Sequence, residues 1–132
     1  MGGDLDVLIV DDHEAMRVML ARVMASAGVK RVREASRGEL GLEMQAEAPA
    51  HLILVDSGMP GMDGVSFINA VRADERYGAP CIVMITGHDH AELREAAHAA
   101  GANAVMVKPV SPRALIAKVQ DLLERGSSDP RG

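Results

Sequence analysis

The sequence is poor in aromatic residues. Phe67 and Tyr77 are its only Phe and Tyr, and it has no Trp. A core of ordinary density must therefore be aliphatic, filled by Val, Leu, Ile, Ala and nine Met. A stacking platform for single-stranded nucleic acid does not fit so few rings. Cysteine is nearly absent: Cys81 stands alone in the apolar run CIVMIT. No intrachain disulfide can form, and a lone thiol buried in such a run fits a reducing cytoplasm. Basic runs are missing too. None exceeds two residues, and the net charge is −5, so the basic stripe expected of a DNA- or RNA-binding chain is lacking.

Long apolar runs are also absent, all of them far below the ~18–20 residues that a membrane helix needs. The opening MGGDLDVLIV has no positive n-region and does not read as a signal peptide. Gly2 invites a myristoylation reading, but Asp6 stands where Ser or Thr is wanted. Neither a G-x-G-x-x-G after the first strand nor a P-loop is present, which argues against nucleotide binding. These absences point to a cytoplasmic domain with no nucleic acid and no membrane insertion, and leave a basic protein partner open.

What is present has a regular order. The 132 residues suffice for one domain, with a 48% hydrophobic and 25% charged composition typical of globular proteins. Five strand-like runs recur: Leu5–Val10, the weaker Arg31–Ala35, His51–Val55, Cys81–Ile85 and Ala104–Val107. Short apolar runs rich in Val and Ile suit strands buried on both faces of a parallel sheet.

Helical segments lie between them. Glu14–Ala27 is stopped by Gly28. Ser36-x-x-Glu39 reads as a capping box opening a helix that ends before Pro49, and Asp89-x-x-Glu92 as another, opening an Ala-rich helix closed by Gly101. Val65–Glu75 carries Phe67, Ile68 and Val71. Ser111-Pro112 is an N-cap with proline at the first helical position, followed by the stripe Leu115, Ile116, Val119, Leu122, Leu123. The order (βα)5 predicts an α/β fold with one doubly wound parallel sheet. The domain is expected to span 1–125, with 126–132 a disordered tail or the stub of a linker.

Polar residues sit immediately after the apolar strands: Asp11-Asp12, Asp56, Thr86 and Lys108. A parallel sheet gathers its strand C-termini on one edge, where ligands bind. Each residue has a plainer explanation alone: a helix cap for the Asp pair, a strand end for Thr86, a turn for Lys108. Together they make a site. Clustered carboxylates repel and need a cation. Oxygen ligands completed by water suit Mg²⁺, and Mg²⁺, an ammonium and a hydroxyl suit a phosphoryl group. A carboxylate then serves as nucleophile.

The segments LIVDDHEAMR, LILVDSGMPGMDG, VMITGH and GANAVMVKPV span nearly the whole chain. In these pieces, their order and their spacing the chain resembles the receiver domains of two-component response regulators, of the single-domain, CheY-like type. The resemblance implies a five-stranded flavodoxin-like sheet of order 2-1-3-4-5. It implies Asp56 as phosphoacceptor, Asp12 as a direct Mg²⁺ ligand, Asp11 as a ligand through water, and a metal-binding carbonyl on Gly58. Thr86 and Lys108 would contact the phosphoryl oxygens, and Lys108–Pro109 would be cis. The donor would be a histidine kinase or histidine phosphotransfer protein. A downstream protein would bind the helix 4–strand 5–helix 5 face, with Ala91, Arg94, Glu95 and His98 as part of it. A monomer or weak dimer is expected. Such a domain catalyses only its own phosphorylation and dephosphorylation, and is not otherwise an enzyme.

Some positions depart from the family pattern or vary within it. Val105 stands where the family usually carries Tyr or Phe. Gly58 and His88 occupy positions that tune dephosphorylation in the family. Two alternatives to phosphorylation-dependent signalling are a phosphorylation-independent docking module, for which Val105 leaves room, and a phosphate sink in a phosphorelay. An aspartyl-nucleophile phosphohydrolase would need an acid/base Asp where Gly58 stands. His88-x-His90 is read as a solvated loop without further metal partners, and His13 as the start of the first helix, not a ligand. Met59 and Met62 are expected to flank the site loop, and Gly61 and Gly64 to be turn residues.

Overall fold

A computed structural model describes residues 3–128, with side chains through Arg125. Strands β1 (Asp6–Val10), β2 (Arg31–Ala35), β3 (Leu52–Asp56), β4 (Cys81–Thr86) and β5 (Ala104–Val107) alternate with helices α1 (Glu14–Ser26), α2 (Gly38–Glu47), α3 (Gly64–Ala73), α4 (Ala91–Ala100) and α5 (Pro112–Ser128). All strand pairs are parallel, and the sheet order is β2-β1-β3-β4-β5, as expected. The expected tail overlaps the end of α5, which continues to Ser128; residues 129–132 lie outside the described residues.

Burial follows the order. Central β1 and β3 are buried along their whole length, whereas edge strand β2 is buried only at Ala35. Successive side chains alternate between the two faces of the sheet. Leu8, Val10, Ile53, Val55 and Met84 therefore pack with Phe67, Ile68 and Val71 of α3 and Ala97 of α4 on one side. Val7, Ile9, Leu52, Leu54 and Ile85 pack with Leu20 and Met24 of α1 and Leu115 and Val119 of α5 on the other. Phe67 is the largest fully buried side chain, and aliphatic residues fill the rest, as the scarcity of rings requires.

Helix ends hold the main differences from expectation. Neither capping box forms, because each helix starts one residue later than the box requires. Arg37 occupies the N-cap position of α2 and His90 that of α4, neither with a side-chain cap. The Asp89 carboxylate instead accepts a 2.7 Å hydrogen bond from Arg94 Nε. The third helix stops at Ala73, not Glu75. Asp74 turns extended, and its carboxylate accepts the Arg76 N–H at 2.9 Å, opening a 3-10 turn over Glu75–Tyr77. The N-cap at Ser111 does form, its Oγ accepting the Ala114 N–H at 3.1 Å. Gly28 and Gly101 adopt φ of 95° and 116°, the left-handed geometry that ends a helix without a Cβ clash.

Cys81 is half-buried. Its thiol is pushed up to about 11 by burial, an effect the nearby Arg72 guanidinium only partly offsets.

Candidate functional site

At the C-terminal edge of the sheet, Asp56 is the last residue of β3 and Thr86 the last of β4. Asp11 and Lys108 each follow directly on β1 and β5. The parallel register makes this convergence unavoidable, since Val10 pairs with Val55 and Asp56 with Ile85.

Each side chain is held locally. Asp11 is buried, and its Oδ1 accepts the His13 N–H at 2.9 Å, a short turn that reverses the chain into α1. Arg17, one turn into α1, donates from Nη1 to the Asp11 carbonyl at 2.7 Å and pairs with Glu34 of β2 at 3.4 Å. Lys108 is tied to β4 by its N–H, which donates to the Thr86 carbonyl at 2.7 Å. The Lys108–Pro109 bond is cis. Lys108 Nζ reaches Asp56 Oδ1 at 2.8 Å and lies 3.8 Å from Asp11 Oδ2.

One ammonium thus faces two buried carboxylates, Asp56 and Asp11. The balance is visible in Asp11, whose pKa is raised first by burial and further by the charge of Asp56, against the lowering effects of the His13 N–H and Lys108. Ligand atoms of Asp11, Asp12, His13 and Asp56 lie within 4.8 Å of one another. Asp12 Oδ1 is buried without a hydrogen-bond partner. It stands 3.3 Å from His13 Nδ1, within ion-pair range but without hydrogen-bond geometry. A buried, unsatisfied carboxylate oxygen beside two further carboxylates is the donor set that a hard divalent cation completes. The acidic pocket therefore fits a metal ion.

The structure brings Asp11, Asp12, Asp56 and Lys108 together as the sequence predicts. Gly58 is exposed in the loop after β3, with open space around it. Thr86 is buried, and its hydroxyl is engaged by Ser57 and by the His88 backbone. His13 sits at the N-cap of α1; in the loop after β3, Met59 is buried and Met62 half-buried. Gly61, with φ of 81°, is a turn residue. Gly64 instead opens α3, where an added Cβ would lie 2.5 Å from the Asp56 carbonyl oxygen. Of the expected output face, Ala91, Glu95 and His98 are exposed, while Arg94 is half-buried against Asp89. His88 and His90 stack at 5.9 Å and belong to no potential metal cluster among the described residues.

Sequence reasoning missed Ser57, Arg17 and the close approach of Gly64. Ser57 carried one available signal: a hydroxyl directly after the candidate phosphoacceptor, at the end of an otherwise apolar strand.

No helix among the described residues is long and apolar enough to cross a membrane. The family model for the response regulator receiver domain matches residues 7–120. The chain is 32% identical over 121 residues to chemotaxis protein CheY of Pseudomonas aeruginosa, covering 92% of this chain and 98% of that one. It is 32% identical over 126 residues to chemotaxis protein CheY1 of Helicobacter pylori, covering 95% and 100%. Among solved structures, chemotaxis protein CheY4 of Vibrio cholerae superposes with a TM-score of 0.83 at 32% identity, covering 89% of this chain and 97% of that one. A CheY-like receiver domain protein from Methanospirillum hungatei gives 0.86 at 28%, covering 96% and 99%. With the matching fold and the acidic pocket beside Lys108, these findings place the chain in the response-regulator receiver domain family.

Proposed function

We propose that this receiver accepts a phosphoryl group onto Asp56 from a phosphohistidine on a kinase or phosphotransfer protein, and signals by protein contact. The observation that carries this is the meeting of Asp56, Lys108, Asp11 and Asp12 at one sheet edge. The Asp56 carboxylate attacks phosphorus, a P–O bond forms as the donor's N–P bond breaks, and the imidazole leaves to take up a proton. Lys108 donates to the phosphoryl oxygens and offsets their charge, with the Thr86 hydroxyl as a second donor. Asp11, Asp12, Asp56 and the Gly58 carbonyl would hold Mg²⁺, which when bound supplies positive charge opposite the phosphoryl oxygens.

The module modifies itself and turns over no other substrate. The helix 4–strand 5–helix 5 side is the face offered to a downstream protein, and the compartment is the cytoplasm. The relatives named chemotaxis proteins support this assignment to protein-contact signalling.

The test is a titration of the protein with Mg²⁺ and a small phosphodonor, read by intact mass, and with beryllofluoride, read by NMR. A single phosphoryl mass gain lost in Asp56→Asn is expected. No gain with Mg²⁺ bound would overturn the proposal and leave the phosphorylation-independent docking reading.

A further inference from the structure

Ser57 Oγ lies 2.8 Å from Thr86 Oγ1, a hydrogen bond joining the residue after Asp56 to the end of β4. The Thr86 hydroxyl also accepts the His88 N–H at 2.9 Å and donates to the His88 carbonyl at 3.2 Å. A hydroxyl has two acceptor lone pairs and one proton. With Ser57 and the His88 N–H filling both lone pairs, the proton is left pointing at the His88 carbonyl. Thr86 can donate elsewhere only by giving up the His88 carbonyl and turning or shifting its oxygen, which works against the bond it accepts from the Ser57 hydroxyl. Ser57 itself is fixed by backbone, its N–H donating to Ile85 at 3.0 Å and its carbonyl accepting from Gly64 at 3.0 Å. Its main chain therefore stays in place, and only rotation about the Cα–Cβ bond can move its hydroxyl.

We infer that Ser57 is a positioning residue that latches the Thr86 hydroxyl away from the phosphoryl site, so that occupancy of Asp56 works against the Ser57–Thr86 bond. This rests on the proposed phosphoacceptor role of Asp56. In the free protein the latch favours the unmodified arrangement. A phosphoryl oxygen on Asp56 competes for the Thr86 proton, and the Ser57 bond opposes that competition. The lost bond is neutral and of ordinary strength, so its removal shifts the balance about fivefold.

The experiment compares Ser57→Ala and Ser57→Thr with the unsubstituted protein in beryllofluoride titrations at saturating Mg²⁺, following the Thr86 methyl resonance by NMR. Melting temperatures are measured alongside. Ser57→Ala should reach half-saturation at about fivefold lower beryllofluoride, and Ser57→Thr, which keeps a hydroxyl, should restore the original value. A purely structural Ser57 would change the melting temperature and leave half-saturation unmoved, which would overturn the inference. Weaker binding in Ser57→Ala, or failure of Ser57→Thr to restore it, would overturn it as well. If the unsubstituted protein and both variants form no adduct, the phosphoacceptor role itself fails. Equal adducts in all three would sink the latch alone.

Discussion

Lys108 Nζ and Asp56 Oδ1, 52 residues apart in the chain, meet at 2.8 Å. The carboxylate is almost wholly buried and the ammonium only partly so. Lys108 also stands near Asp11, which makes it a shared counter-charge for two buried carboxylates.

Replacing Lys108 by Ala should therefore slow phosphoryl transfer from a small phosphodonor by about a hundredfold, the usual loss of one charge-stabilising donor. The rate of mass gain at saturating Mg²⁺ measures it. An unchanged rate would remove Lys108 from the proposed chemistry.

Asp11 predicts an opposite effect on stability. Its raised pKa means that, just above the ordinary 3.8, the folded state keeps a proton the unfolded state has lost. Stability from this group therefore falls as pH rises through that window, and the penalty persists at neutral pH. Asp11→Asn should raise the melting temperature of the metal-free protein at pH 7 and weaken the stabilisation that added Mg²⁺ confers on the unsubstituted chain. Chelation should reverse that stabilisation. Thermal melts with and without Mg²⁺ decide both points.

Gly64 must stay without a Cβ. One added there would meet the Asp56 carbonyl oxygen at 2.5 Å and Ser57 Cα at 2.9 Å, backbone atoms that do not swing aside. Gly64→Ala should destabilise the fold by about 1–3 kcal/mol through overpacking. Urea denaturation gives the value, and a loss below a few tenths of a kcal/mol would show that the loop after Asp56 adjusts freely.

Cys81, with its thiol pushed up to about 11 from an ordinary 9.0, should alkylate slowly. At pH 8 its thiolate fraction is about a hundredfold below that of an unperturbed thiol. The alkylation rate should keep rising through pH 10. A half-maximal rate near pH 9, the ordinary value, would show that burial does not shift this group.

Much of the molecule was legible in its sequence because the signals are local. Val-Ile runs broken by helical segments specify the alternation, and hydrophobic period and turn residues act within a few positions. The polar residues after the runs could then be assigned to one edge, because parallel strands align their C-termini. Helix starts were less legible: Ser36-x-x-Glu39 and Asp89-x-x-Glu92 match a local pattern, yet Asp89 is claimed by Arg94. Buried Gln45 gave no signal at all. Its Nε2 donates to the Tyr77 carbonyl at 2.7 Å and its Oε1 accepts the Ala50 N–H at 3.0 Å, satisfying backbone groups that only folding brings near.

By itself, then, the sequence determined the order of elements, the lining of both faces of the sheet and the set of acidic and basic residues at its edge. Only the tertiary structure decided which of those residues touch, that Ser57 holds Thr86, and that Gly64 stands against the Asp56 backbone. Pattern and propensity act over a few residues, whereas these contacts depend on the register and separation of strands and helices packed from distant parts of the chain.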